Sequence, residues 1–105
     1  MKAYEIDKLA IQRGATNKLY LEFLRVPSLS MGLYELPAGQ DDPQGPHNED
    51  EVYYVIKGRA QIRIGEEDRF LQPGSIIYVA AFDTHRFHSI TEDLTVLVFF
   101  APAET

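Results

Sequence analysis

The chain contains no cysteine, and this single absence excludes several kinds of chemistry together. Disulfide bonds, zinc–thiolate centres and thiol nucleophiles all depend on cysteine sulfur. Any bound metal ion would therefore have to use histidine, aspartate, glutamate or backbone oxygen. Only three histidines are present, so few positions can supply nitrogen ligands to such a site.

Excess positive charge and long apolar runs are also absent. The formal net charge of −6 argues against non-specific nucleic-acid binding, which depends on lysine and arginine neutralising phosphates. No apolar run approaches the roughly 20 residues that span a bilayer, and residues 1–5 do not open into the apolar stretch of a secretory signal. We therefore expect a cytoplasmic protein whose partners include neither nucleic acid nor membranes.

The length of 105 residues suits one modest domain and is too short for a second independent core. We predict a single domain over residues 1–105, with a barrel at about 31–100 and an N-terminal strand region at 1–30. A small domain buries a small share of its surface, so pairing with a second copy would add stability. The leucine- and phenylalanine-rich segment 18–26 is the expected edge strand of such a homodimer.

Short segments typical of β-strands, separated by turn signals, fill most of the chain. They are rich in β-branched and aromatic residues, and most end at proline or glycine. The segments are 18–26, 30–36, 51–56, 59–64, 69–71, 75–80, 85–90 and 94–100. This spacing predicts an all-β sandwich or barrel, and the only helical signal is one weak turn at 6–10.

Three residues could form a metal site. His47 and Glu51 stand four residues apart where a proline-rich loop enters a predicted strand, and His85 begins a later strand after a tight turn. Two imidazoles and one carboxylate suit several divalent transition metals, and three protein ligands leave coordination positions open. On residue types alone, the same three side chains could be scattered over a surface.

The spacing of these residues resembles the first motif of the cupin superfamily, which is Gly, five residues, His-x-His, three or four residues, Glu, six residues, Gly. The chain has Gly39, five residues, Gly45, then His47, three residues, Glu51, six residues and Gly58. Every element of the motif is in register except the first histidine, whose position is taken by Gly45.

The second cupin motif is Gly, five residues, Pro-x-Gly, two residues, His, three residues, Asn. Here Gly74 and His85 keep the register, while Ala80, Phe82 and Ser89 replace the proline, the second glycine and the asparagine. The resemblance spans about residues 31 to 100. It implies a double-stranded β-helix, or jelly-roll barrel, in one domain.

The resemblance also implies a divalent metal ion inside the barrel, bound by His47, Glu51 and His85. Fe2+ or Mn2+ is favoured, with Zn2+, Ni2+ and Cu2+ as alternatives. The alternative is a purely structural role, in a barrel whose polar interior is hydrogen-bonded and holds no ion. His88 is expected to be a surface or packing residue, because strand alternation directs it away from His85.

The glycine at position 45 leaves three outcomes open for the metal site. In the first the site keeps three ligands and gains one more water, in the second it recruits a substitute ligand, and in the third it has lost its metal. Gln44, Asp42 and Glu49 are the nearby candidate substitutes, although Glu49 looks more like part of a solvated acidic loop. Aligning the motif with its four-residue spacer would place Gln44 and Pro46 in the two histidine positions, and proline cannot ligate a metal.

Several functions are compatible with this resemblance, because fold does not fix function. The first hypothesis is a metal-dependent enzyme, of dioxygenase or other oxidoreductase type, acting on a small molecule. The same ligands could serve an isomerase or a lyase. The alternatives are a non-catalytic module that binds a small ligand and an accessory dimer partner. Arg63 and Arg86 could hold an anionic substrate, but we expect both to be exposed.

Overall fold

One helix and six strands build the protein in a computed structural model that describes residues 1–105. The elements are α1 (Ile6–Gly14), β1 (Tyr20–Val26), β2 (Leu29–Leu36), β3 (Asp50–Ile64), β4 (Glu67–Leu71), β5 (Ile76–Val79) and β6 (His85–Ala101). The strands are hydrogen-bonded in the order β1-β2-β6-β3-β4, β5 also pairs with β3, and every pairing is antiparallel. The predicted all-β, single-domain fold is confirmed.

Two of the predicted turns do not exist, so eight expected strands become six. Segments 51–56 and 59–64 are one strand, β3, because Gly58 kinks the chain instead of reversing it. Gly58 has a φ of +101°, and a Cβ at this position would lie 2.2 Å from the carbonyl oxygen of Asp93 in β6. The close approach of the two strands requires glycine here. Segments 85–90 and 94–100 are likewise joined in β6.

The two long strands tie the halves of the barrel together. The first half of β3 pairs with β5 and its second half pairs with β4, while β6 runs beside both halves. Alternate side chains of these strands point inward and, with Tyr34 and Leu36 of β2, form a cluster of 15 buried apolar residues. Tyr53, Phe87 and Phe100 are all buried in this cluster.

The N-terminal helix is longer than the single turn predicted at residues 6–10. Asp7 in its first turn and Arg13 in its last turn have the charges that the helix dipole favours. The helix packs on β1 and β2, buries Leu9, and is anchored by an ion pair of 3.0 Å between Arg13 and Glu35. The helix lacks the length and apolar character needed to cross a bilayer.

Candidate metal centre

The three predicted metal ligands lie together inside the barrel. His47 is in the loop that leads into β3, Glu51 is the second residue of β3, and His85 is the first residue of β6. Their ligand atoms all lie within 4.8 Å of one another, in a group that could hold a metal ion. Glu51 is 2% exposed and His85 is 6% exposed, so water cannot easily satisfy either side chain.

Glu51 and His85 face each other as two hydrogen-bond acceptors. The Nδ1 atom of His85 is 2.9 Å from the carbonyl oxygen of Asp83. A carbonyl oxygen can only accept, so Nδ1 carries the proton of the neutral ring and Nε2 presents a lone pair. That Nε2 lies 3.2 Å from Glu51 Oε1, without hydrogen-bond geometry, and it and both carboxylate oxygens of Glu51 lack any hydrogen-bond partner.

Buried acceptors without a donor are costly, at about 1–3 kcal/mol for each neutral group and more for a charged one. The pKa of His85 reflects this arrangement. Burial alone would lower that pKa, but the Glu51 carboxylate and the Asp83 carbonyl outweigh burial and raise it. The pair therefore attracts a positive species between its facing atoms, either a proton or a metal cation.

His47 is held by a carboxylate that the sequence analysis missed. Its Nδ1 lies 2.9 Å from Glu104 Oε2, and its Nε2 lies 3.1 Å from Gln44 Oε1. Burial raises the pKa of Glu104, and the nearby His47 offsets part of that rise. Metal-binding histidines commonly donate their second N–H to a carboxylate, which fixes the tautomer and orients the ring.

The C-terminal segment brings Glu104 to this position. The backbone N–H of Glu104 donates to Ser30 Oγ at 2.9 Å, and the N–H and hydroxyl of Thr105 both donate to Glu49 Oε2. The expectation that Glu49 belongs to a solvated loop is therefore wrong. Glu49 is 4% exposed because the returning chain end covers it. No local sequence pattern indicates this long-range contact.

A cavity of about 200 Å³ opens beside the centre. Its wall consists of Tyr20, Tyr34, Pro43, Gln44, His47, Glu51, Tyr53, Val98, Phe100 and Glu104. Burial, followed by nearby carboxylates, raises the pKa of each of its three tyrosines, so all three are phenol donors at neutral pH. The hydroxyl of Tyr20 is buried without a hydrogen-bond partner.

The remaining candidates lie away from this cavity. His88 is outside the barrel with its Nε2 2.7 Å from Asp68, as predicted. Arg63 and Arg86 are exposed. They lie at a separate polar pocket of about 250 Å³, which Gln44 and His85 also line.

Comparisons with known proteins agree with this geometry. Residues 32–100 match the family model of the cupin domain, Cupin_2. The chain belongs to the cupin family. It is 50% identical to an uncharacterized protein of Streptomyces coelicolor, with 100% of both chains aligned.

Solved structures of other cupins share the fold. A Methanocaldococcus jannaschii cupin with a double-stranded β-helix superposes with a TM-score of 0.77 at 23% identity, covering 97% of this chain and 91% of that one. The DMSP lyase DddQ of Ruegeria pomeroyi superposes with a TM-score of 0.68 at 25% identity. That match covers 72% of this cupin but only 39% of the longer lyase. The predicted double-stranded β-helix is confirmed.

The three candidate substitutes for the cupin histidine that Gly45 replaces differ in their hydrogen-bond partners. Glu49 is engaged by the chain end. Asp42 is engaged as well, because its carboxylate accepts hydrogen bonds from the Tyr34 hydroxyl, the Gln44 side chain, and the backbone N–H groups of Gln44 and Phe87. Of these three candidates, only Gln44 directs a side-chain oxygen toward His47.

The residues present fit a divalent ion of the kind that the cupin family implies. The donor set of two imidazoles and a carboxylate suits such an ion. The partnerless buried atoms of Glu51 and His85 supply the unsatisfied lone pairs that it would bind. An ion held there would involve His47, Glu51 and His85.

Proposed function

We propose that this cupin is a metal-dependent enzyme of the oxygenase type that acts on a small molecule. His47, Glu51 and His85 would hold Fe2+ or Mn2+. The observation that carries this proposal is the convergence of buried acceptor atoms from Glu51 and His85 with no donor between them. Such an arrangement is unfavourable in an empty barrel and favourable around a cation.

The donor set supports the oxygenase type. Two histidines and one carboxylate with open positions are typical of non-haem iron(II) oxygenases. When bound, the ion would act as a Lewis acid and as a template for the reactants. Zn2+, Ni2+ and Cu2+ remain alternatives for the same donors.

The chain's own residues would select and orient the substrate. The cavity of about 200 Å³ is smaller than the 300 to 1,000 Å³ of sites for drug-sized molecules, which favours a small substrate. Val98 and Phe100 form an apolar part of its wall. The partnerless hydroxyl of Tyr20 offers a hydrogen bond to an acceptor atom of the substrate. No lysine or arginine lines this cavity, so the bound ion would be the only positive charge there to attract an anionic group.

A second candidate is a lyase or isomerase that uses the same centre. Glu104 places a second carboxylate on the cavity wall, where it could take a proton from a bound substrate. The structural similarity to a DMSP lyase also supports this candidate. In this alternative the ion would polarise the substrate, and molecular oxygen would not be consumed.

Nitric oxide tests a requirement of the oxygenase type without knowledge of the substrate, because it reports whether bound Fe2+ has an open position for a diatomic molecule. The protein would be loaded with Fe2+ under anaerobic conditions, exposed to nitric oxide and measured by electron paramagnetic resonance. We expect the half-integer-spin signal of a ferrous nitrosyl in the wild type and in His88→Ala, and no such signal in His85→Ala. Bound Fe2+ that gives no nitrosyl signal would contradict the oxygenase proposal.

A further inference from the structure

We infer that the side-chain oxygen of Gln44 is a fourth protein ligand of the metal centre, replacing the histidine that is missing at Gly45. This inference rests on the proposed metal-binding function and extends it. It concerns which atoms of this chain complete the site.

The amide of Gln44 is fixed with its oxygen toward the centre. Its Nε2 donates to Asp42 Oδ2 at 2.8 Å, and a carboxylate can only accept, so the nitrogen must face Asp42. The opposite atom, Oε1, accepts a hydrogen bond from the Tyr53 hydroxyl at 3.1 Å. Asp42 is itself held in place by the Tyr34 hydroxyl at 2.6 Å. The orientation of the amide is therefore set by hydrogen bonds on both sides.

Gln44 Oε1 faces a ring nitrogen of His47, one of the predicted metal ligands. His47 Nε2 and Gln44 Oε1 are 3.1 Å apart, within hydrogen-bond distance. The amide oxygen can only accept, so Nε2 carries the proton of this hydrogen bond, while Nδ1 lies 2.9 Å from Glu104 Oε2. A cation that displaced this proton would be shared by both atoms.

A second contact between a ring nitrogen and a side-chain oxygen has a similar length. Glu51 Oε1 and His85 Nε2 face each other at 3.2 Å. Metal bonds of about 2.0–2.2 Å place neighbouring ligands of one ion roughly 2.8–3.6 Å apart, between right-angle and tetrahedral geometry. Both nitrogen–oxygen pairs have this separation. Gln44 and His47 thus match the geometry of a ligand pair as well as Glu51 and His85 do.

Gly45 has no side chain that could bind a metal ion, and packing does not require a glycine at this position. A Cβ at Gly45 would meet no atom within 4 Å, so no other residue fills the space next to the position of the missing histidine. The neighbouring Gln44 reaches the centre instead. An amide oxygen is a harder donor than imidazole, and carbonyl oxygens suit Mn2+. The exchange should therefore shift the preference of the centre toward Mn2+.

The test measures the affinity for Mn2+ by competition with a chelating dye, together with the visible absorption of the Co2+-loaded protein. The variants are Gln44→Ala and Gln44→Glu, and Gln40→Ala is the matched control in an exposed part of the same loop. We expect Gln44→Ala to weaken Mn2+ binding by about 100-fold, the upper end of the loss seen for residues that only support ligands. Gln44→Glu should retain Mn2+ binding with an altered Co2+ spectrum, and Gln40→Ala should match the wild type.

The outcomes separate this inference from the function on which it rests. A wild type that binds neither Mn2+ nor Co2+ contradicts the metal-dependent function itself. A wild type that binds both, with Gln44→Ala and Gln44→Glu matching its affinity and its Co2+ spectrum, overturns the role of Gln44 alone. Circular dichroism of each variant confirms folding, and Gln44→Glu keeps the test decisive if Gln44→Ala is unfolded. In crystals of the Mn2+-loaded wild type, an ion more than about 3 Å from Gln44 Oε1, well outside bonding distance, would also overturn it.

Discussion

Replacing Gly32 by alanine tests how the wall of the cavity is built. Gly32 in β2 lies under the ring of Tyr20, and an added Cβ would be 2.1 to 2.3 Å from two carbons of that ring and its hydroxyl oxygen. Ordinary contact begins at 3.4 Å, so the ring would have to move by roughly 1.3 Å, the difference between 3.4 and 2.1 Å. It cannot do so freely, because Tyr34 and Phe100 pack against it edge-on.

Overpacking of this kind costs about 1 to 3 kcal/mol. For a domain of this size, we expect Gly32→Ala to lower the midpoint of thermal unfolding by about 5 to 15 °C. Gly14→Ala is the matched control, because a Cβ there meets nothing within 4 Å. The assay is thermal unfolding followed by circular dichroism.

A double-mutant cycle shows whether the cost arises from the Tyr20 ring. In a Tyr20→Ala background, the ring is gone and Gly32→Ala should cost little. An unchanged midpoint for Gly32→Ala alone would refute the reasoning. So would an equal cost in the presence and absence of the Tyr20 ring.

Three further predictions follow from the same contacts. Glu104→Gln should weaken metal affinity by about 10- to 100-fold, because His47 loses its carboxylate partner, whereas Glu66→Gln in an exposed turn should not; equal affinities in a chelator competition would contradict this role. Because the folded-state pKa of His85 is raised above 6.5, its contribution stabilises the metal-free protein below that pH and is lost as the pH rises through the raised value. Denaturant unfolding should show this loss in the wild type and not in His85→Ala. The edge strand within segment 18–26 should support a homodimer, and a monomeric mass by light scattering at micromolar concentration would count against it.

The sequence was sufficient to predict the barrel and the convergence of His47, Glu51 and His85, because the spacing of these residues resembles the cupin motifs. Gly39, His47, Glu51 and Gly58 stand in register with a motif, and that register places the side chains of β3 on known faces. His85 follows from its distance to Gly74 in the same way. Strand alternation also placed His88 outside, where it pairs with Asp68.

Contacts made by distant parts of the chain could not be predicted in this way. Glu104 reaches His47 only because the chain end returns across the barrel, and the same return buries Glu49 under Thr105. Lys57 and Gly58 resemble a turn in sequence. These two residues form a kink because β6 packs directly against Gly58. This is a tertiary contact, so local sequence does not reveal it. The orientation of the Gln44 side-chain amide, which separates Gln44 from the other two candidate substitutes, likewise depends on its hydrogen bond to Asp42.

The most direct test of the metal centre is elemental analysis of protein purified without an affinity tag or chelator and then reloaded with single metals. The wild type would be compared with His47→Ala, Glu51→Ala and His85→Ala, with His88→Ala as the control. We predict about one metal ion per chain in the wild type and in His88→Ala, and a loss in the other three variants. A wild type without metal after exposure to Fe2+, Mn2+, Ni2+, Cu2+ and Zn2+, or full metal content in His85→Ala, would contradict this account.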